Sequence, residues 1–272
     1  MEKGQSALYL FCFARPDLVG KIEGTSVDGR HPLCLFRHFP DLCAVVGEVP
    51  LEDFCGPAAE LRMQELAWVG PRALRHEAVV EQVMRQSPVL PVRFGTLFSS
   101  QESLVEFLTT HRTRISQFLE RVTGREEWAM RGLLHRKQAG EALISARLRA
   151  GEAQLATLPP GTRYFQEQRI RAAVEKELGL WLKETCRQVA NDLMTQASDS
   201  RECQVVPLES SQSGTEVVVN WAFLLPRDAI PAFRLRVDQV NDNLASRGLV
   251  FELSGPWPPY RFVPPLSTGT AP

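Results

Sequence analysis

The residues best suited to chemistry in this chain are few, and none stands in a complete catalytic pattern. His76 and Glu77 open the string HEAVVEQ, which lacks the second histidine that a helical HExxH zinc site requires. His76 is therefore read as a packed or surface histidine. Glu126 and Glu127 precede Trp128, where burial would raise a carboxyl pKa. Adjacent strand residues point to opposite faces, so one of the pair is read as solvated and the other as structural. No glycine-rich turn ends in Lys-Ser or Lys-Thr, no GxSxG elbow is present, and no GxGxxG follows a strand. Cysteines at 12, 34, 43, 55, 186 and 203 form no CxxC pair and read as reduced, small core residues. The expectation is no catalytic residue, no metal and no cofactor. A small-molecule enzyme without a cofactor motif is the alternative, and an enclosed pocket with convergent polar groups would favour it.

Two stretches stand out instead. In PVLPVRFGTLF, residues 88–98, prolines at 88 and 91 exclude a central strand, so Val89–Phe94 reads as an edge strand or one entering a loop. Gly95 permits a turn that a side chain would resist. Thr96, or Ser99 and Ser100, would cap a helix starting near Gln101. Arg93 falls among apolar residues, and if buried it needs carboxylates or carbonyls around it. The other stretch is the C-terminal GPWPPYRFVPP, in which Trp257, Tyr260 and Phe262 are set among prolines that hold the backbone extended. Three aromatics on a stiff segment are either buried against the chain or offered to a partner. The signature residues singled out for a structural or partner-binding role are Arg93, Phe94, Gly95, Trp257, Tyr260 and Phe262.

These stretches need elements to position them, and the chain is long enough for two domains of ordinary size. Hydrophobic residues make up 44% and charged residues 23%, a globular composition. With 31 basic residues against 32 acidic, the charge is balanced, which argues against nucleic acid as the partner. No run approaches a membrane span, and the apolar Ala7–Ala14 is a strand rather than a signal peptide, so a cytoplasmic protein is expected.

In order, the pattern predicts a strand over 6–14, a loop to 31, and a hairpin of strands 33–38 and 42–49 about Phe39-Pro40-Asp41. A helix from Pro57 to Trp68 is expected to break at Gly70-Pro71 before another over 72–86. An amphipathic helix over 104–122 follows. From Trp128 the pattern predicts a strand over 128–134 and a weak helix over 136–158. Next come a long helix over 164–197 with Gly179 as a break, and strands over 203–208 and 215–225. A helix over 227–247 stopped by Gly248 and a strand over 249–253 complete the order. The fold class expected is α+β. Residues 1–124 form an N-terminal domain, 125–255 a ferredoxin-like βαββαβ domain, and 256–272 a proline-rich, aromatic tail packing on the body.

PVLPVRFGTLF, preceded by a helix carrying LRHEAVVEQVM, resembles the central signature of the gas vesicle accessory proteins of the GvpF/GvpL family. SGPWPPYRFVP at 254–264 is similar to that family's C-terminal signature. ALYLFCFA, GREEWAMRGLL and PPGTRYFQEQR stand in the family's order, so the resemblance spans roughly residues 6–265. Arg261 departs from it, where a small polar residue such as serine would be expected. The resemblance implies an accessory factor in forming gas vesicles rather than an enzyme. As it implies, the protein binds the hydrophobic major shell protein or other gas vesicle accessory proteins, keeps the subunit from aggregating and helps start assembly. It would be cytoplasmic and gas vesicle associated, with no nucleic acid or membrane partner.

Overall fold

The computed structural model describes residues 5–205 and 214–266. The chain divides into two compact units, one of Met1–Glu126 joined by Trp257–Pro272 and the other of Glu127–Pro256.

The first unit is built on β1 (Ser6–Ala14), whose residues are apolar and buried along nearly their whole length. Such a run suits a strand covered on both faces. β1 lies between β3 (Leu42–Pro50) and β4 (Val89–Pro91). β2 (Leu33–Phe39) pairs outside β3, and β5 (Leu97–Phe98) also pairs with β1. Every pairing is antiparallel. Between β3 and β4 run α1 (Pro57–Arg62) and α2 (Leu66–Met84), and after β5 comes α3 (Gln101–Val122).

A bulge governs the two faces of β1. Pairing with β3 shifts register between Leu10 and Cys12, leaving Phe11 as the extra residue. Simple alternation would put Tyr9 and Cys12 on opposite faces. With the bulge, Ala7, Tyr9, Phe11, Cys12 and Ala14 all join one cluster with Val79, Val80 and Val83 of α2. Phe13 turns the other way and stacks on Phe107 of α3.

In the second unit, β6 (Arg125–His135) leads through α4 (Arg136–Ala150) and α5 (Glu152–Ala156) to α6 (Pro160–Met194). β7 (Asp199–Glu202), β8 (Thr215–Pro226), α7 (Ile230–Leu244) and β9 (Leu249–Trp257) complete it. The strand order is β7-β8-β6-β9. Alternate residues of three strands, such as Met130, Phe223 and Phe251, form a core with Leu178 and Leu193 of α6 and Phe233 and Val237 of α7. β9 is an edge, and its Phe251 N–H and C=O are both bonded by the Asn241 side-chain amide, at 2.7 and 2.9 Å. That amide occupies bonds another strand would otherwise seek.

Several boundaries differ from those the sequence predicts. The helix break falls at 63–65, and α2 runs through Gly70-Pro71, where the proline forfeits one backbone bond that the helix's packed face outweighs. The strand predicted over 203–208 is found at Asp199–Glu202, and residues 206–208 lie outside the described residues. β9 extends to Trp257, so the aromatic stretch begins on a strand. Cys34 and Cys55 are exposed, whereas Cys12, Cys43 and Cys186 are core residues as read; none of the six is in a disulfide.

Gly179 does not break α6, a single helix of 35 residues. A glycine inside a helix weakens it by about 1 kcal/mol, too little to interrupt a helix anchored by a packed face. A Cβ at Gly179 would meet no atom within 4 Å, whereas at Gly248 it would meet the Ala139 nitrogen and the His135 oxygen at 2.9 Å each, on a φ of +76°. Gly179→Ala should therefore stabilise the protein by up to about 1 kcal/mol. Gly248→Ala should destabilise it by about 1–3 kcal/mol, both read as denaturant midpoints.

Candidate functional site

The two uncommon stretches meet in the first unit, around a hydroxyl that the core strand buries. Tyr9 is fully buried, with its ring among Phe11, Phe54 and Phe94. The gap between β4 and β5 lies beside the bulge of β1. Val92 donates its N–H to the Phe11 carbonyl at 3.1 Å, and Leu10 donates to the Thr96 carbonyl at 2.9 Å. Between them the chain makes a tight turn. Thr96 N–H and Oγ1 both donate to the Arg93 carbonyl, at 3.2 and 2.7 Å, and Gly95 adopts φ +83°. This geometry favours glycine at the third turn position, and it aims the Gly95 N–H at the Tyr9 oxygen, 3.0 Å away. Ser100 then caps α3 reciprocally with Ser103.

His76 completes the arrangement from α2, on the same face as Val80 and Val83, and is only 3% exposed. Its Nδ1 lies 2.9 Å from the Tyr9 hydroxyl, and its Nε2 lies 3.2 Å from both the Val92 carbonyl and the Tyr260 hydroxyl. Tyr260 comes from the chain end, in a short turn of helix over Tyr260–Phe262, and donates to Glu77 Oε2 at 3.0 Å.

These partners fix every proton. The Val92 carbonyl can only accept, so Nε2 carries the hydrogen and Nδ1 accepts from Tyr9. Tyr9 in turn accepts from Gly95, and the Tyr260 hydroxyl donates its hydrogen bond to Glu77 while its oxygen accepts from the His76 N–H. Each member is neutral except Glu77. Burial holds the His76 imidazole down at about 4, against the opposing hydrogen bond to Val92. Burial drives the Tyr9 phenol far above its usual range, against the Gly95 N–H. Burial and then the Glu77 carboxylate do the same to Tyr260. Burial also raises Glu77, with the Tyr260 hydrogen bond opposing it. A neutral imidazole held between phenols, with its acceptor nitrogen already occupied, is arranged as a structural clasp; among the described residues no group of histidine, cysteine and carboxylate side chains could hold a metal. A shallow hollow of about 470 Å³ elsewhere on the unit is lined by Pro16, Asp17, Arg37, His38, Phe39 and Pro40, and shares no residue with the clasp.

Of the six signature residues, Phe94, Gly95 and Tyr260 converge on Tyr9 and His76. Phe262 is buried beside them in sequence at 2% exposure, and Pro258 and Pro259 are buried too. Farther along, Arg114 of α3 donates to the Pro265 carbonyl at 3.4 Å. Arg93 and Trp257 are exposed. Arg93 thus needs no counter-charge: the turn that lends its carbonyl to Thr96 leaves its side chain in water. The sequence does not single out Tyr9, names Glu77 only beside His76 in an incomplete zinc pattern, and gives His76 only a packed or surface place. The available signal was the HE pair on a helix whose inward stripe includes position 76.

Comparison with known proteins follows from this architecture. Two crystal structures share the fold. They are GvpF from Anabaena sp. PCC7120, with TM-score 0.65 and 19% identity over 95% of this chain and 96% of that one, and GvpF from Microcystis aeruginosa, with TM-score 0.63 and 17% identity over 95% and 99%. The chain is thus a mixed α and β protein with the fold of these GvpF structures. The profile of the family described as gas vesicle synthesis protein GvpL/GvpF matches residues 7–264, and the chain belongs to that family. It is 29% identical to gas vesicle protein L of Streptomyces sp. (strain CB03234) over 264 residues, covering 93% of this chain and 91% of the other. It is also 21% identical to gas vesicle protein F of Dolichospermum flosaquae over 200 residues, 72% and 79% of the two chains. Membership gives it a role in gas vesicle synthesis.

The clasp makes stability depend on pH with a definite sign. The unfolded chain protonates His76 near 6.5 and the folded chain near 4, so between these values the unfolded state binds more protons. Stability present above pH 6.5 should be lost as pH falls to 4, by up to about 3 kcal/mol from this group. Glu77, raised on folding, acts in the opposite sense at its own titration. The difference in denaturant midpoint between wild type and His76→Gln across pH 4–7 isolates the histidine's share. Tyr260→Phe should destabilise the protein by about 1–3 kcal/mol at pH 7, because Glu77 and the His76 N–H lose a partner.

Proposed function

We propose that this protein acts in gas vesicle assembly by binding the major shell protein, other gas vesicle accessory proteins, or both. Binding would keep the hydrophobic shell subunit from aggregating and help start vesicle formation. The observation that carries the reading is the family match over residues 7–264. Burial of the subunit's apolar surface would supply the driving force, at about 25 cal/mol per Å² before the ordering costs of association. Among the described residues no helix is long and apolar enough to cross a membrane, in keeping with work on the vesicle from the aqueous side. A ferredoxin-like reading of the second unit is supported by its βαββαβ element order and the strand order β7-β8-β6-β9.

In this reading the closed tail contributes in two ways. Tyr260 and Phe262 hold the segment in place, and the exposed Arg93 is offered to partners from the neighbouring turn. Arg93→Ala should change stability by no more than about 0.5 kcal/mol, the range of surface substitutions, while weakening vesicle formation. Truncation before residue 257 should lower both.

The test is co-expression with the shell subunit, followed by the fraction of subunit that stays soluble and co-purifies. A subunit that aggregates equally with and without this protein, together with normal vesicles in its absence, would overturn the proposal.

A further inference from the structure

The exposed side of α2 is as unusual as its buried side. A surface helix ordinarily turns charged residues to water. The exposed positions of α2 are Leu66, Ala67, Pro71, Leu74, Arg75 and Ala78, and all but Arg75 are apolar. Leu66 is 83% exposed and Leu74 73%. Leu66, Gly70, Leu74 and Ala78 recur at four-residue spacing, which places them in one row along the helix. Gly70 and the alanines keep that row low, so a second helix can approach closely, with Leu66 and Leu74 as the projecting contacts.

The charges beside the row are unevenly matched. On one border Glu77 is engaged by Tyr260, and Glu81 lies 3.4 Å from Arg85. On the other border stand Arg75 and, half-buried, Arg72. Arg72 lies over the Trp68 ring at 4.0 Å and donates to the Trp68 carbonyl; Arg75 donates to the Val27 carbonyl. The nearby carboxylates have other partners, Asp53 with Arg62 at 3.5 Å and Asp28 with His31 at 2.6 Å. Among the described residues neither Arg72 nor Arg75 has a carboxylate within ion-pair range, and Arg72 Nε is buried without an acceptor. Glu77 keeps its charge beside the neutral Tyr260 hydroxyl but lies on the opposite border, so the charge left unmatched on the Arg72 and Arg75 border is positive.

We infer that the outer row of α2 is a docking surface for an amphipathic helix of a partner protein whose apolar face is bordered by acidic side chains. Leu66 and Leu74 seat in the partner's apolar face, and its carboxylates meet Arg75 and Arg72 along one edge. A second copy of this chain matches less well, because its own acidic border is already engaged. The inference deepens the assembly role proposed above and rests on it for the nature of the partner, a fellow gas vesicle protein.

The experiment uses the full chain and two synthetic helices of about six turns. They share a Leu/Ala stripe bordered by Glu in one and by Lys in the other. Binding is followed by fluorescence anisotropy and by hydrogen exchange across α2. The Glu-bordered helix should bind about tenfold more tightly than its Lys twin, with a preference that shrinks as salt rises. Leu66→Glu with Leu74→Glu should abolish binding while leaving the melting curve unchanged, and Arg75→Glu should reduce or reverse the preference. Equal binding of the two helices, binding unaffected by the leucine substitutions, or concentration-dependent self-association that those substitutions abolish would each overturn the inference. If the double-leucine variant still keeps the shell subunit soluble, the docking surface falls while the assembly role stands. If wild-type protein fails with the subunit yet discriminates between the helices, the reverse holds.

Discussion

The constraint on which the first unit depends is a hydroxyl in the wrong place. β1 is buried on both faces, yet Tyr9 sits at its middle with an oxygen that must find partners away from water. An unmet polar group there costs about 1–3 kcal/mol. Three distant segments meet the requirement: Gly95 from the turn between β4 and β5, His76 from α2, and, through His76, Tyr260 from the chain end. The bulge at Phe11 is part of the same solution. It lets the strand keep Tyr9 and Cys12 toward α2 and opens the place opposite which the 93–96 turn is made.

This explains why the two uncommon strings are built from such different residues. The prolines of the first end one short strand and start a turn, the glycine turns a backbone N–H inward, and the arginine is left outside. In the second, the buried Pro258 and Pro259 lead directly into the turn from which Tyr260 reaches His76 and Glu77. Both strings serve one network, although 165 positions separate Gly95 from Tyr260 (260 − 95).

Much of the fold was legible because apolar periodicity is local. β1, the β2–β3 hairpin, α3 and the stop at Gly248 follow from spacing, capping and turn residues. The errors at Pro71 and Gly179 have a common cause: each residue carries a modest local penalty, which a long packed helix outweighs. The clasp was harder to read. Phe94, Gly95, Tyr260 and Phe262 stood out by their setting, but Tyr9 looks in sequence like any aromatic on a strand. His76 was dismissed as a ligand for a sound reason, its missing second histidine, and that reason says nothing about a histidine satisfied by phenols and a carbonyl. Arg93 misled because apolar neighbours in sequence do not imply apolar surroundings when a tight turn intervenes.

The return of the chain to the first unit also has a temporal side. Tyr260 lies 183 residues beyond Glu77, so during translation the whole of the second unit is made before the clasp can close. At about 5–20 residues per second that interval is on the order of ten to forty seconds. Throughout it, His76 and Glu77 lack the hydroxyl that Tyr260 later supplies. Closure thus marks a second unit already made, and a chain interrupted anywhere within that unit has a His76 and a Glu77 without their Tyr260 partner.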